Sequence, residues 1–316
     1  KLTDKMNAVL VGISGSNNGY SLSLYNLKAY AYQYPEVQES WDISVIQHPL
    51  IGDWRRDQLL SNLTNEIVDK EPHLVGFSCY MWNIKGFLEI ADELSNKLPN
   101  TRILLGGPEI SREYVQHHYF DEYAVDYCVS GEGEQTFLEV INHLKNENPA
   151  LEDITGLSHR SRRNVPFTVN PKRTMLKSIT DIPSPYLEGI VDEEVLARKN
   201  VEANLETQRG CNLKCSYCIY HKDMDRVQYS EVERVIDEVR YVTERGVTRI
   251  RFTDANFGSK KKFAKSVMKG LIRERFKTRL FTELIPGFID EELASLFGQY
   301  KKLHPENHVT LGVGVQ

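Results

Sequence analysis

Three of the five cysteines, Cys211, Cys215 and Cys218, fall within eight residues of one another. The thiolate is the ligating form of cysteine, and a single loop can turn several thiolates toward one centre, so this spacing reads first as a metal site. Three thiolates can hold three irons of a cubane and leave the fourth iron open, much as a catalytic zinc site keeps one position free. A structural zinc is the other reading. It wants a fourth Cys or His, which His221 would supply, although structural zinc ligands more often come as two spaced pairs. Cys79 and Cys128 lie in apolar segments and read as core thiols. Secreted disulfide proteins are usually short, with even cysteine counts, so the pattern points to a reducing cytoplasm.

The bulk composition narrows the partners. The chain has 316 residues, 41% hydrophobic and 26% charged, which suits two globular domains. A net charge of −5 gives no electrostatic case for nucleic acid or an anionic membrane. The basic run Arg160–Arg163 reads as a solvated loop. No apolar run approaches the roughly 20 residues that span a bilayer. The opening Lys1–Lys5 is polar and lacks the apolar stretch of a signal peptide. The absence of an initiator Met is what a sequence missing its first residues would show.

The elements that must position the cysteines come from periodicity. Over the first 150 residues strands and helices alternate. Strands are expected at Asn7–Ser14, Ile43–His48, His73–Cys79, Arg102–Leu105 and Val125–Ser130. Helices are expected at Leu22–Tyr34, Trp54–Lys70, Ile84–Lys97 and Gln135–Lys145, the second with Leu59, Leu60, Leu63 and Ile67 on one face. This alternation predicts a doubly wound parallel sheet, whose ligands sit beyond the carboxyl ends of its strands. The segments after those ends are small or turn-forming: Ser14–Gly19, Ser78–Asn83, Gly106–Ser111 and Ser130–Glu134. Residues 151–200 read as a linker, with a small hairpin from Gly156–Arg160 and Val165–Val169 and an extended stretch at Asp181–Pro185. Alternation restarts in 201–316. Strands are expected at Glu202–Gln208, Thr248–Thr253, Arg279–Ile285 and His308–Val315, with helices at Glu231–Arg245, Lys260–Arg275 and Asp290–Phe297. Four such strands make an incomplete barrel.

The segment LETQRGCNLKCSYCIYHK, residues 205–222, resembles the radical SAM superfamily: C-x3-C-x2-C with an aromatic before the last cysteine, at the end of the first strand of a βα series. The resemblance implies a [4Fe–4S] cluster on Cys211, Cys215 and Cys218, with the amino and carboxylate groups of S-adenosylmethionine (SAM) on the open iron. One electron from the reduced cluster then cleaves SAM to methionine and a 5′-deoxyadenosyl radical. Tyr217 takes the position that lies against the adenine. Asp254 and Asn256, in DAN after the second strand, stand where relatives hold the SAM amino group, or else form a solvated turn. Glu283, in FTELIP, is expected to contact SAM or substrate, or to form an ion pair at the rim. Gln316 matches a strand-end position near SAM.

The domain ahead of it resembles the flavodoxin-like cobalamin-binding domain of one class of radical SAM enzymes. The matching segments are GFSCYMWN (76–83), ILLGGPEIS (103–111) and VSGEGEQTF (129–137). The resemblance implies corrin and nucleotide-tail contacts from Ser78, Tyr80, Trp82, Asn83, Gly106, Gly107, Pro108, Glu109, Gly131, Glu132, Gly133 and Glu134. Each also has a plain reading as turn or polar loop, and the alternative for the whole is a degenerate domain that no longer binds cobalamin. The loop Ser14–Gly19 lacks the D-x-H-x-x-G of cobalamin mutases, and His48 lacks its spacing and reads as structural. The implication is a cobalt with no imidazole beneath it, with Tyr80 and Trp82 covering that face or filling the domain interface as packing aromatics.

The expected fold is α/β: a flavodoxin-like, Rossmann-type cobalamin-binding domain followed by a radical SAM (β/α) partial barrel that stops after its fourth strand. The expected function is a cobalamin-dependent radical SAM methyltransferase acting on an unactivated carbon of a small molecule or peptide. The expected electron donor is a flavodoxin or ferredoxin. Radical cyclisation or rearrangement without methyl transfer, or a non-catalytic metal-stabilised sensing module, are the alternatives.

Overall fold

The computed structural model describes residues 5–16, 18–49, 56–220 and 224–314. It divides into two compact units, one of residues 1–17 and 23–175, the other of residues 18–22 and 176–316.

The first unit is built on one sheet. Strands β1 (Met6–Ser14), β2 (Trp41–Pro49), β3 (Leu74–Ser78), β4 (Arg102–Gly106) and β5 (Tyr127–Val129) lie in the order β2-β1-β3-β4-β5, all parallel. Helices α1 (Leu22–Tyr32), α2 (Pro35–Ser40), α3 (Arg56–Val68), α4 (Ile84–Lys97), α5 (Arg112–Gln116) and α6 (Glu134–Asn146) connect them. Helix cover on both faces explains why β3 is wholly buried and is apolar from Leu74 to Phe77. Its Phe77 stacks on Phe87 of α4 at 4.7 Å, inside a core that includes Val9, Val11, Leu63, Ile67, Leu94 and Leu105. Each such side chain contributes about 1.5–3 kcal/mol by its burial. Cys79 and Cys128 are fully buried in that core, and burial raises both thiols, so they are inert packing residues as expected. The helix expected from Leu22 to Tyr34 ends at Tyr32 because Pro35 opens a new one at its N-terminus.

The predicted hairpin forms from β6 (Leu157–His159) and β7 (Thr168–Val169), and it pairs antiparallel with β5, extending the sheet. Arg160 departs from the expected solvated loop. It is buried, with its guanidinium donating to the carbonyls of Val125 (2.7 Å), Asp121 (2.8 Å), Phe120 (3.3 Å) and Tyr123 and lying over the Phe167 ring. The chain after α5 leaves these carbonyls without helical partners, and only a five-donor fork meets so many at once. Its neighbours Arg162 and Arg163 are exposed.

In the second unit α7 (Glu193–Leu196) precedes a parallel sheet of β8 (Glu202–Leu205), β11 (Arg249–Phe252), β12 (Arg279–Leu284) and β13 (His308–Val313), in that sequential order. A two-stranded ladder, β9 (Gln208–Arg209) with β10 (Gln228–Tyr229), stands apart from it. Helices α8 (Val232–Glu244), α9 (Lys261–Glu274) and α10 (Glu291–Lys302) alternate with the strands. One sheet face, with Ala203, Leu205, Ile250, Phe252, Leu280 and Leu284, is buried. The other carries Glu202, Asn204, Arg251, Phe281 and Glu283, with Arg251 bonded to Glu202 at 2.6 Å and stacked on Phe281. Residues 18–22 belong here: Asn204 donates to Tyr20 O (2.6 Å), and the Tyr20 and Tyr186 hydroxyls meet. No helix among the described residues is long and apolar enough to cross a membrane.

Arg160→Leu should lower the unfolding free energy by about 3 kcal/mol, because it removes the side-chain donor of the Val125 and Asp121 carbonyls and the second donor of Phe120 O and Tyr123 O. Arg162→Ala should stay within about 0.5 kcal/mol of wild type. Denaturant titration of both proteins checks this, and equal midpoints would refute the buried role.

Candidate cofactor sites

The strand order of the first unit reverses between β1 and β3, so that crevice is where a doubly wound sheet receives ligands. The turn after β3 is drawn toward it. Asn83 accepts from Tyr80 N (2.7 Å) and donates to Ile13 O (3.2 Å) and Ser78 O (3.1 Å). Asn83 is therefore a buried brace for the turn. The brace presents Tyr80 and Trp82, whose rings stack at 4.6 Å and 12°. The Trp82 indole donates to Ile13 O at 2.9 Å, and its ring lies so close to Gly15 that a Cβ there would stand 3.2 Å away. Trp82 is nonetheless 42% exposed and Met81 79%.

The β4 loop closes against this turn. Cys79 N donates to Gly106 O (2.7 Å) and Glu109 N to Cys79 O (3.3 Å). Gly107 has φ +100°, and a Cβ on it would sit 2.7 Å from Cys79 O, so only glycine fits. Gly107 and Pro108 are exposed, and Glu109 is half-buried. After β5, Gly131 is exposed at φ +81°, while Glu132 and Glu134 turn inward and are buried. The loop presents the backbone of Gly131 and Gly133 at this strand end. Ser130 opens the Ser130–Glu134 segment but stood outside the expected contacts, and its buried hydroxyl has no hydrogen-bond partner at this same strand end. Ser78 is buried. His48 bonds Glu66 at 2.9 Å, a structural role as expected.

In the second unit, the strand expected over Glu202–Gln208 breaks after Leu205. The chain bends at Glu206, and the two residues after it turn their amides to Asp254: Thr207 N and Gln208 N each donate to its Oδ1 at 2.8 Å, and the Thr207 hydroxyl meets Oδ2. Gln208 and Arg209 then pair with Tyr229 and Gln228. This ladder closes the base of a loop that holds all three clustered cysteines. At its neck Gly210 has φ +93°, and a Cβ there would stand 2.3 Å from Arg226 O. Gly210 N donates to the Tyr220 hydroxyl at 3.2 Å, which burial pushes up to about 12, so it remains protonated. Cys218 N closes a turn onto Cys215 O (3.0 Å). The three thiols are half-buried and unbridged. Tyr217 is 68% exposed.

The expected SAM residues separate. Asp254 is fully enclosed with both oxygens bonded to the chain entering the loop, so the solvated turn does not form. Asn256 accepts from Ile285 N at 3.3 Å, tying two strand ends, while its Nδ2 is buried with no partner. Glu283 is exposed on the polar sheet face, opposite Gly312, and forms no ion pair among the described residues. Gln316 and His221 lie outside the described residues.

The B12 binding domain family matches residues 39–141, and the Radical SAM superfamily matches residues 205–316. The chain is a radical SAM protein with a B12-binding domain. It is 32% identical to the cobalamin-dependent radical SAM methyltransferase TokK of Streptomyces tokunonensis over 197 residues, covering 60% of this chain and 28% of TokK. It is 27% identical to 2-(S-pantetheinyl)-carbapenam-3-carboxylate methyltransferase of Streptantibioticus cattleyicolor, covering 73% of this chain and 33% of that protein. Its fold is similar to TsrM from Kitasatospora setae, solved with tryptophan and a SAM analogue (TM-score 0.72, 19% identity, 98% of this chain, 59% of TsrM). It is similar also to OxsB, solved with aqua-cobalamin and SAM (TM-score 0.74, 18% identity, 99% of this chain, 44% of OxsB). The chain spans less than two thirds of the length of each of these relatives.

The residues of this radical SAM protein fit the groups its domains imply. Among the described residues no three Cys, His, Asp or Glu side chains converge as ligands of a single ion. A cubane instead offers three separate iron corners, and three unbridged thiols on one closed loop suit it. The unpaired Asn256 Nδ2 leaves a donor free at the ends of β11 and β12, a loss of about 1–3 kcal/mol that a ligand acceptor would recover.

Burial pushes the Asp254 carboxyl up to about 7 from the ordinary 3.8, against the pull of its Thr207 and Gln208 donors and with the help of the Glu206 charge. Between those pH values the folded protein keeps a proton that the unfolded chain has lost. The stabilisation is therefore complete below pH 4 and disappears as pH rises through 7, by about 4 kcal/mol in all at 1.36 kcal/mol per unit. Unfolding of the metal-free protein across that range should show this fall in wild type and lack it in Asp254→Asn. Parallel curves would refute it.

Proposed function

We propose that this chain is the cofactor-holding part of a cobalamin-dependent radical SAM methyltransferase. In this reading residues 1–150 hold cobalamin and residues 201–316 hold a [4Fe–4S] cluster and SAM. The observation that carries it is the cysteine loop: three unbridged thiols on a segment closed at its base and following the first strand of a parallel βα sheet. When bound, the reduced cluster supplies the electron that splits SAM into methionine and a 5′-deoxyadenosyl radical, and cobalamin carries the methyl group.

The chain's own residues then have defined tasks. Cys211, Cys215 and Cys218 ligate three irons. Tyr217 offers an exposed ring to the adenine. Asn256 offers its unpaired Nδ2 to an acceptor on SAM, and Glu283 offers a carboxylate on the polar sheet face to SAM or substrate. The Tyr80–Trp82 stack gives the corrin a flat apolar surface that excludes water and supplies no nitrogen ligand to cobalt. The backbone of Gly106, Gly107, Gly131 and Gly133, with Ser78, Pro108, Glu109 and the Ser130 hydroxyl, borders the remaining strand ends. The substrate is a small molecule, in keeping with the carbapenam and tryptophan that relatives act on or bind. A flavodoxin or ferredoxin of the reducing cytoplasm supplies the electron.

Anaerobic reconstitution of the full-length protein should give a brown product with about four irons and four sulfides per chain. With SAM and dithionite it should release 5′-deoxyadenosine, and Cys215→Ala should reduce that release to background. A colourless protein holding one zinc would sink the reading.

Cobalamin binding is separable. Titration followed by visible absorption should show saturable uptake, and Trp82→Ala should weaken it by roughly tenfold, the loss expected for one aromatic contact. Uptake unchanged by that substitution would remove Trp82 from the site.

A further inference from the structure

We infer that Asp254 is the positioning residue of the cluster-binding loop, fixing through hydrogen bonds the backbone from which Cys211 departs. The inference deepens the proposed function and rests on it for the cluster, though not for the geometry. Where β8 ends, the chain leaves the sheet, so the amides of Thr207 and Gln208 lose the strand partner that would otherwise accept from them. A buried amide without an acceptor is costly, and nearly all are paired in native folds. Asp254, on the neighbouring strand end, accepts both at 2.8 Å and meets the Thr207 hydroxyl as well. With 1% of its surface exposed, it has no competing water.

The bonds continue toward the cysteines. Gln208, held by its amide, donates its side chain to Gly210 O (3.3 Å) and accepts from Ser259 (2.8 Å), which also bonds the Tyr229 hydroxyl (2.8 Å). Gly210 is fixed in turn by Tyr220 and by its close approach to Arg226, and Cys211 follows it directly. Asp254 is thus the first link of a chain of contacts that ends one residue before the first iron ligand. Nearby, Glu206 is occupied by a two-bond pair with Arg209 at 2.8 Å, so it does not replace Asp254 as acceptor.

An asparagine preserves this role. Its carbonyl oxygen accepts the two amides, and its nitrogen donates to Thr207 Oγ1. Alanine removes all three bonds. The comparison therefore separates positioning by hydrogen bonds from an effect of charge.

Hydrogen exchange of the full-length protein, first metal-free and then reconstituted, tests the inference. In Asp254→Ala, exchange across Thr207–Tyr220 should rise at least about tenfold, equivalent to about 1.4 kcal/mol of local protection. Amides of β1 and β3 should keep wild-type rates. The reconstituted variant should hold less iron and give a heterogeneous electron paramagnetic resonance signal, and Asp254→Asn should restore both readouts. Wild-type exchange in Asp254→Ala would overturn the inference, and so would an Asn variant as loose as the Ala variant. If Asp254→Ala unfolds throughout, Thr207→Val decides. Faster exchange confined to residues 207–210 supports the clamp, and unchanged exchange overturns it. Wild-type protein that takes up no iron or sulfide would remove the functional reading, while the metal-free comparison would still decide the role of Asp254.

Discussion

The neck of the cysteine loop, where Gly210 passes against the carbonyl of Arg226, is the tightest constraint in the second unit. The loop between them carries three thiols that must stand apart from one another yet face one cluster. Left open, so long a segment would sample many arrangements, and ordering it on binding would draw on the binding energy. Closing its base converts it to a loop of fixed span before any ligand arrives. The β9–β10 ladder makes that closure, and Gly210 alone tolerates the left-handed backbone it needs. The early end of β8 follows from the same demand, since a strand that ran on to Gln208 would stay in the main sheet and could not turn to form the ladder.

The first unit meets its own version of this problem. Three strand ends must come close enough for backbone to line a ligand, and side chains at the crossing points would hold them apart. Gly107 lets the β4 loop touch Cys79, and Gly15 lets the Trp82 ring lie flat on the turn after β1. Asn83 supplies hydrogen bonds that otherwise would need water. What these contacts produce is an aromatic pair anchored at the point where the strand order reverses, which is the place a doubly wound sheet makes available to a ligand.

Periodicity and spacing revealed much of this. Apolar runs between helical segments gave the strands of both sheets, because burial on two faces leaves an unbroken signature in β1 and β3. The cysteine spacing pointed to a metal site, because ligands on one loop are local in sequence. What escaped was long-range and directional. Arg160 sits in a basic run that looks solvated, and nothing near it in sequence shows that it meets carbonyls some forty residues away. Asp254 lies after a strand, where a polar residue can face a ligand or the chain beside it. The choice depends on where β8 bends, and that is written in the pairing of residues 208 and 229. The break in β8 has no Gly or Pro to announce it until Gly210.

Polar residues at strand ends thus fall into two kinds, distinguished by what their side chains already bond. Asp254, Asn83 and Arg160 are enclosed, and their hydrogen-bonding capacity is met within their own unit. Glu283, Tyr217 and Trp82 keep a surface open, and Asn256 and Ser130 keep an atom unpaired. The second kind depends on the first: Trp82 is presented by the turn that Asn83 braces, and the loop bearing Tyr217 starts from the backbone that Asp254 holds. A substitution in the bracing group therefore displaces ligand-facing residues it never touches. This is why a site of this type cannot be read from its exposed residues alone, and why a sequence match at the ligand-facing positions has meaning only when the enclosed acceptors behind them are also in place.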